Sequence, residues 1–104
     1  MNNASDSDST FTVYAVCGAN RAGWGVIQGE PVPNPAKSQT AAVASCPSDQ
    51  LPVSGGIFSS SHRTSVNLNS LEFSLFPPSQ YWRVVENNAS SNDFEITPYV
   101  VCFP

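Results

Sequence analysis

The residues of this chain best able to form a covalent bond are its three cysteines, Cys17, Cys46 and Cys102. In an oxidising compartment two of them pair and the third is left over. The bridge runs from Cys46 to Cys17 or to Cys102. Cys17–Cys46 is the favoured pairing and closes a loop of roughly thirty residues, worth on the order of 3 kcal/mol in the chain-entropy model. Cys102 is then either a buried free thiol, packing like a small hydrophobe, or half of a bridge between molecules. Cysteine catalysis needs a base to generate the thiolate. The one histidine, His62, lies in a polar run, Ser59-Ser60-Ser61-His62-Arg63, with no carboxylate evident to orient it.

Other reaction chemistries find less material. The cysteine spacing makes no zinc knuckle, and no Asp-x-Asp-x-Asp-Gly loop for calcium is present. Glu30, Glu72, Glu86, Asp93 and Glu95 are scattered, where a glycosidase opposes two carboxylates. No serine stands in a Gly-x-Ser-x-Gly turn. An enzyme is not expected, nor a metal or cofactor.

Recognition has better candidates. Trp24, Tyr81 and Trp82 are large and flat, and the C–H faces of sugar rings stack on such side chains. Arg63 and Asn88 are of the type that satisfies sugar hydroxyls. These five form the candidate ligand site, with a glycan as the candidate partner. The competing reading of a tryptophan on an antiparallel strand is sandwich core. Asn3-Ala4-Ser5 and Asn88-Ala89-Ser90 match the N-glycosylation sequon and read as polar turn residues.

The elements that must hold these residues are strands. Period-two alternation is common and helical spacing rare. Residues 10–17 place Phe11, Val13, Ala15 and Cys17 on one face and predict a first strand. Their end, Tyr14-Ala15-Val16-Cys17, is matched by Tyr99-Val100-Val101-Cys102 in the last strand, over 93–102. Further strands are expected over 24–29, 39–46, 51–59, 64–76 and 80–86, the last pairing with 93–102 as a hairpin. Three prolines make 30–35 a loop or an extended edge. Gly55-Gly56 predicts a bulge or a close backbone approach. A change of phase near Asn69-Ser70 predicts a second irregularity. On strand 80–86 either Trp82 and Val84, or Tyr81, Arg83 and Val85, face inward.

Seven or so short strands at regular spacing predict a single antiparallel β-sandwich of jelly-roll or Ig-like type, with a small barrel or β-prism as the alternative. The domain is expected over 10–104, after a disordered polar tail at 1–9. Charged residues make up only 12% of the 104 residues, and the formal net charge is −4. Lacking a basic stripe, the chain is a poor partner for nucleic acid. It has no apolar run of about 20 residues, so membrane insertion is not expected. Cysteines and an amide- and hydroxyl-rich surface together predict a secreted protein.

Cys46-Pro47, Ser54-Gly55-Gly56, Trp82-Arg83-Val84-Val85-Glu86-Asn87 and Tyr99-Val100-Val101-Cys102 together resemble a small domain of secreted bacterial proteins. That domain occurs alone, in tandem, or at the globular end of bacterial collagen-like proteins, and its activity is generally unassigned. The resemblance covers about residues 40–102 and departs at Ser48-Asp49, where a glycine commonly follows Cys-Pro. It implies a secreted β-rich module and makes self-association conceivable. The leading function is therefore glycan recognition, and the alternative is an assembly domain forming homo-oligomers.

Overall fold

The computed structural model describes residues 6–15, 17, 22–75 and 77–104. It contains seven strands and, among the described residues, no helix: β1 (Gly25–Gln28), β2 (Val32–Asn34), β3 (Ser38–Ser45), β4 (Leu51–Ser59), β5 (Ser65–Leu75), β6 (Pro78–Asn88) and β7 (Phe94–Phe103). They form two antiparallel sheets that do not close into a barrel. In the first sheet β7 is central, flanked by β4 on one side and by β1 and β2 end to end on the other. The second sheet runs β3-β6-β5. The chain is an all-β sandwich.

The interior is thin. Val84 of β6 and Ile96 and Val100 of β7 are fully buried, with Ala42 and Ala44 of β3 beside them. The small residues of β3 let the sheets approach. A Cβ on Gly29 would stand 2.8 Å from the Val43 carbonyl oxygen and 3.2 Å from Ala44 Cβ. Trp82 spans both halves of this core, and Gly55 of the facing sheet lies beneath its ring. A Cβ there would fall 2.3–2.5 Å from the indole. Gly55 is thus a close approach of backbone to a large side chain. The bulge of β4 falls at Val53, between Pro52 and Ser54, rather than at the glycine pair.

Pro98 is buried in a central strand, where a missing N–H ordinarily breaks the ladder. In an antiparallel strand the N–H and C=O of one residue point to the same neighbour. The Pro98 carbonyl accepts from Gly29 N–H at 2.8 Å, so its missing donor faces the gap between β1 and β2. The break in that edge and the proline opposite it account for each other.

Four expectations are corrected. Residues 10–15 and Cys17 form no strand and are exposed. The place their sequence resembles, beside β1 and β4, is filled by β7. Second, 80–86 does not pair with 93–102: β6 lies between β3 and β5, and β7 between β4 and β1/β2. Residues 89–93 therefore cross from one sheet to the other. Third, the irregularity of β5 falls between Val66 and Leu68 rather than near Asn69-Ser70. Fourth, the disulfide is Cys46–Cys102, with Cα atoms 5.7 Å apart, and Cys17 is free and exposed. Cys102 is buried on the inner face of β7, and Cys46 follows β3, which packs across from it. Cys17 precedes β1 outside both sheets, and the Cys46 sulfur is already bonded to Cys102.

Of the expected tail, residues 6–9 are exposed and residues 1–5 lie outside the described residues, as does the Asn3-Ala4-Ser5 sequon. Among the described residues no helix is long and apolar enough to cross a membrane.

Candidate functional site

Cross-strand register decides which way each candidate points. Trp82 opposes Ala44 and Leu71, and Val84 opposes Ala42 and Asn69. Period two then carries Trp82, Val84, Glu86 and Asn88 inward and Tyr81, Arg83, Val85 and Asn87 outward. Trp82 is therefore core. Its Nε1–H donates to Asn69 Oδ1 at 2.6 Å, which satisfies the indole at the margin of the interior. The residue is half-buried, and its ring lies against Gly55 of the facing sheet.

Asn88 is also structural. It is 1% exposed, and its Nδ2 lies 2.9, 3.0 and 2.7 Å from the carbonyl oxygens of Asn34, Pro35 and Asn92. Its Oδ1 accepts from Ser90 N–H and Ser90 Oγ–H. This amide ties the crossing segment after β6 to the end of β2. A sugar hydroxyl would have to displace these bonds to reach it, and so would a glycan attached at this sequon.

The remaining candidates stand apart. Arg63 is exposed in the turn between β4 and β5, where its N–H donates to Ser61 Oγ at 2.9 Å. Tyr81 is half-buried on the outer face of the β3-β6-β5 sheet, opposite Ser45 and Glu72. Trp24 lies just before β1, 49% exposed, its ring centroid 5.0 Å from that of Phe103. The five residues proposed for one site do not converge.

The two ingredients of a sugar site are also separated. A polar depression of about 600 Å³ is lined by Lys37, Gln39, Ser65 and Asn87 among others, with no aromatic residue. Gln39 Nε2–H donates to Asn87 Oδ1 there at 2.9 Å, and Lys37 Nζ donates to the Ala89 carbonyl. This depression lies by the start of β7, while Trp24 stacks at its end. Over ten residues of strand the separation is roughly 30 Å.

Around Trp24 the outer face of the β7 sheet is apolar. Val26 opposes Val101, which opposes Ser54; Gln28 opposes Tyr99, which opposes Gly56; Leu51 opposes Phe103. None of these residues is charged, and Trp24, Val26 and Leu51 are each about half or more exposed. On this face Tyr99 Oη–H donates to Gln28 Oε1 at 3.3 Å. A second apolar surface lies at the other edge of the sandwich. Leu71, Phe73 and Leu75 of β5 share the inward face of Trp82, yet all three are exposed. β4, the last strand of the facing sheet, does not extend over them.

A buried polar group was missed. Glu86 and Asn34 are both fully buried, and Asn34 Nδ2–H donates to Glu86 Oε1 at 2.9 Å. Ser59 Oγ stands 3.1 Å from the same oxygen. Glu86 Oε2 and Asn34 Oδ1 have no hydrogen-bond partner among the described residues. The signal was readable, since Glu86 is in phase with Trp82 and Val84. The site is sealed between the sheets and offers no route to a substrate. Among the described residues no three potential ligands cluster to hold a metal.

Comparison with known proteins adds no assignment: no family model, curated protein or solved structure matches the chain.

Proposed function

We propose that this chain is a non-enzymatic assembly module that associates with copies of itself through uncharged strand surfaces. The observation that carries this reading is the Trp24–Phe103 pair standing among Val26, Val101 and Leu51, a charge-free apolar face on well-formed strands. Isolated exposed hydrophobes are ordinary, but contiguous patches mark contact surfaces. The disulfide suits an oxidising compartment, and secretion is part of the proposal. The likeness to domains found beside collagen-like segments is compatible with it.

The test is light scattering with the oxidised protein. Wild type is expected to exceed the 11.1 kDa mass of one chain. Val26→Asp, at an exposed position, is expected to lower the oligomer mass without altering the circular dichroism. A wild-type chain that is monomeric at every concentration overturns the reading.

Glycan recognition is the second reading. It is favoured by the Tyr99–Gln28 pair, which puts an amide and a second aromatic ring on the face that bears Trp24. Its test is a glycan-array screen with multivalent protein. A reproducible hit lost in Trp24→Ala would establish it, and a blank array would remove it.

A further inference from the structure

We propose that residues 10–15 of one copy add as a strand to the free edge of β4 in a second copy, lying over the exposed apolar side chains of β5. This rests on the assembly reading and names the contact that would carry it.

The donor is a strand by sequence without a strand's place in the fold. Phe11, Val13 and Ala15 alternate with Thr12 and Tyr14, and the run is aligned residue for residue with β7. Thr12 corresponds to Thr97, Tyr14 to Tyr99 and Cys17 to Cys102. In β7 the positions matching Phe11, Val13 and Ala15 are Ile96, Pro98 and Val100, all buried. In the single chain the same face stands in water: Phe11 is 65% and Val13 79% exposed, with Tyr14 at 86%. Such a segment gains both ladder bonds and burial by joining a sheet.

The acceptor offers both. β4 is the edge strand of its sheet, and from Leu51 to Ser59 it carries no charge. Edge strands commonly bear charges or other devices against pairing, and the stretch Ser54–Ser59 has none. A strand added beyond β4 would face the overhang of β5, where Leu71 is 47% and Phe73 57% exposed on the inward side. An apolar donor face thus meets an apolar bed, while Thr12 and Tyr14 take the opposite face, the one that the matching Thr97 and Tyr99 occupy on β7. Because each copy both gives and receives, the contact is heterologous and closes into rings or extends into chains.

Two variants separate the roles. Phe11→Asp/Val13→Asp removes the donor in a segment outside the sheets and leaves the fold untouched. Phe73→Lys removes the acceptor bed. Wild type is expected to form oligomers by light scattering, and on a Val26→Asp background, which silences the Trp24 face, each variant alone is expected to be monomeric. An equimolar mixture of the two restores one complete contact and is expected to give a heterodimer of twice the 11.1 kDa chain mass. Because residues 10–15 lie outside the sheets, Phe73→Lys can donate whether or not its fold is weakened, and circular dichroism reports its folding separately. Oligomers that persist in the donor variant overturn this inference and leave the assembly reading standing on another surface. Variants that are monomeric singly and in the mixture overturn the strand exchange. A monomeric wild type overturns both.

Discussion

Trp82 and Asn88 have the chemistry of a sugar site, yet both point inward with Val84 and Glu86. Alternation along β6 offered two phases, and apolar content alone did not choose between them; Ala42 and Ala44 across the ladder did. Gly55 was more legible, because a glycine pair within a strand has few purposes. The account predicts that Gly55→Ala destabilises the domain by about 1–3 kcal/mol, since the indole above it must move. Urea unfolding checks this, and an unchanged midpoint would show that the Trp82 ring yields freely. At the polar end, Glu86→Gln turns the unpartnered Oε2 into a donor beside the unpartnered Asn34 Oδ1. Stability is expected to rise by about 1 kcal/mol, read as a higher melting temperature. Asn88→Ala, which strips the ties to Asn34, Pro35 and Asn92, is expected to cost about 2–3 kcal/mol.

At the scale of elements, β1 and β3 to β7 coincide with runs expected as strands, while β2 falls in 30–35, expected as a loop or an extended edge. What could not be read was which strand neighbours which. The five residues between β6 and β7 look like a hairpin turn, and only the occupied flanks of both strands show that the chain changes sheets there. The disulfide has the same origin. Local sequence makes Cys17 and Cys102 equivalent, since both end a Tyr-x-Val-Cys run. The choice between them follows from β7, not residues 10–17, standing between β1 and β4. Cys46→Ser/Cys102→Ser opens a loop of sequence separation 56 and is expected to lose about 4 kcal/mol in the chain-entropy model. Cys17→Ser is expected to leave the unfolding midpoint within experimental error. Equal losses from the two changes would mean that both cysteines share the bridge to Cys46.

For the whole molecule, the relevant comparison is between what the sandwich covers and what it leaves out. Its interior rests on a few aliphatic side chains and one disulfide, while Trp24, Val26, Leu51, Leu71, Phe73 and Leu75 stand at least partly in water on ordered strands. A surface with so little charge has few means of discouraging contact between copies. Composition showed the scarcity of charge but not where the apolar residues would be concentrated, because that depends on how far each sheet overlaps the other. Self-association is the property we propose for these surfaces, and the sealed Glu86–Asn34 pair lies away from them in the interior. Sedimentation velocity of the oxidised wild-type protein over a concentration series tests this most directly. The account predicts a sedimentation coefficient that climbs with concentration as rings or chains form. One species of a single chain's mass at all concentrations would contradict it.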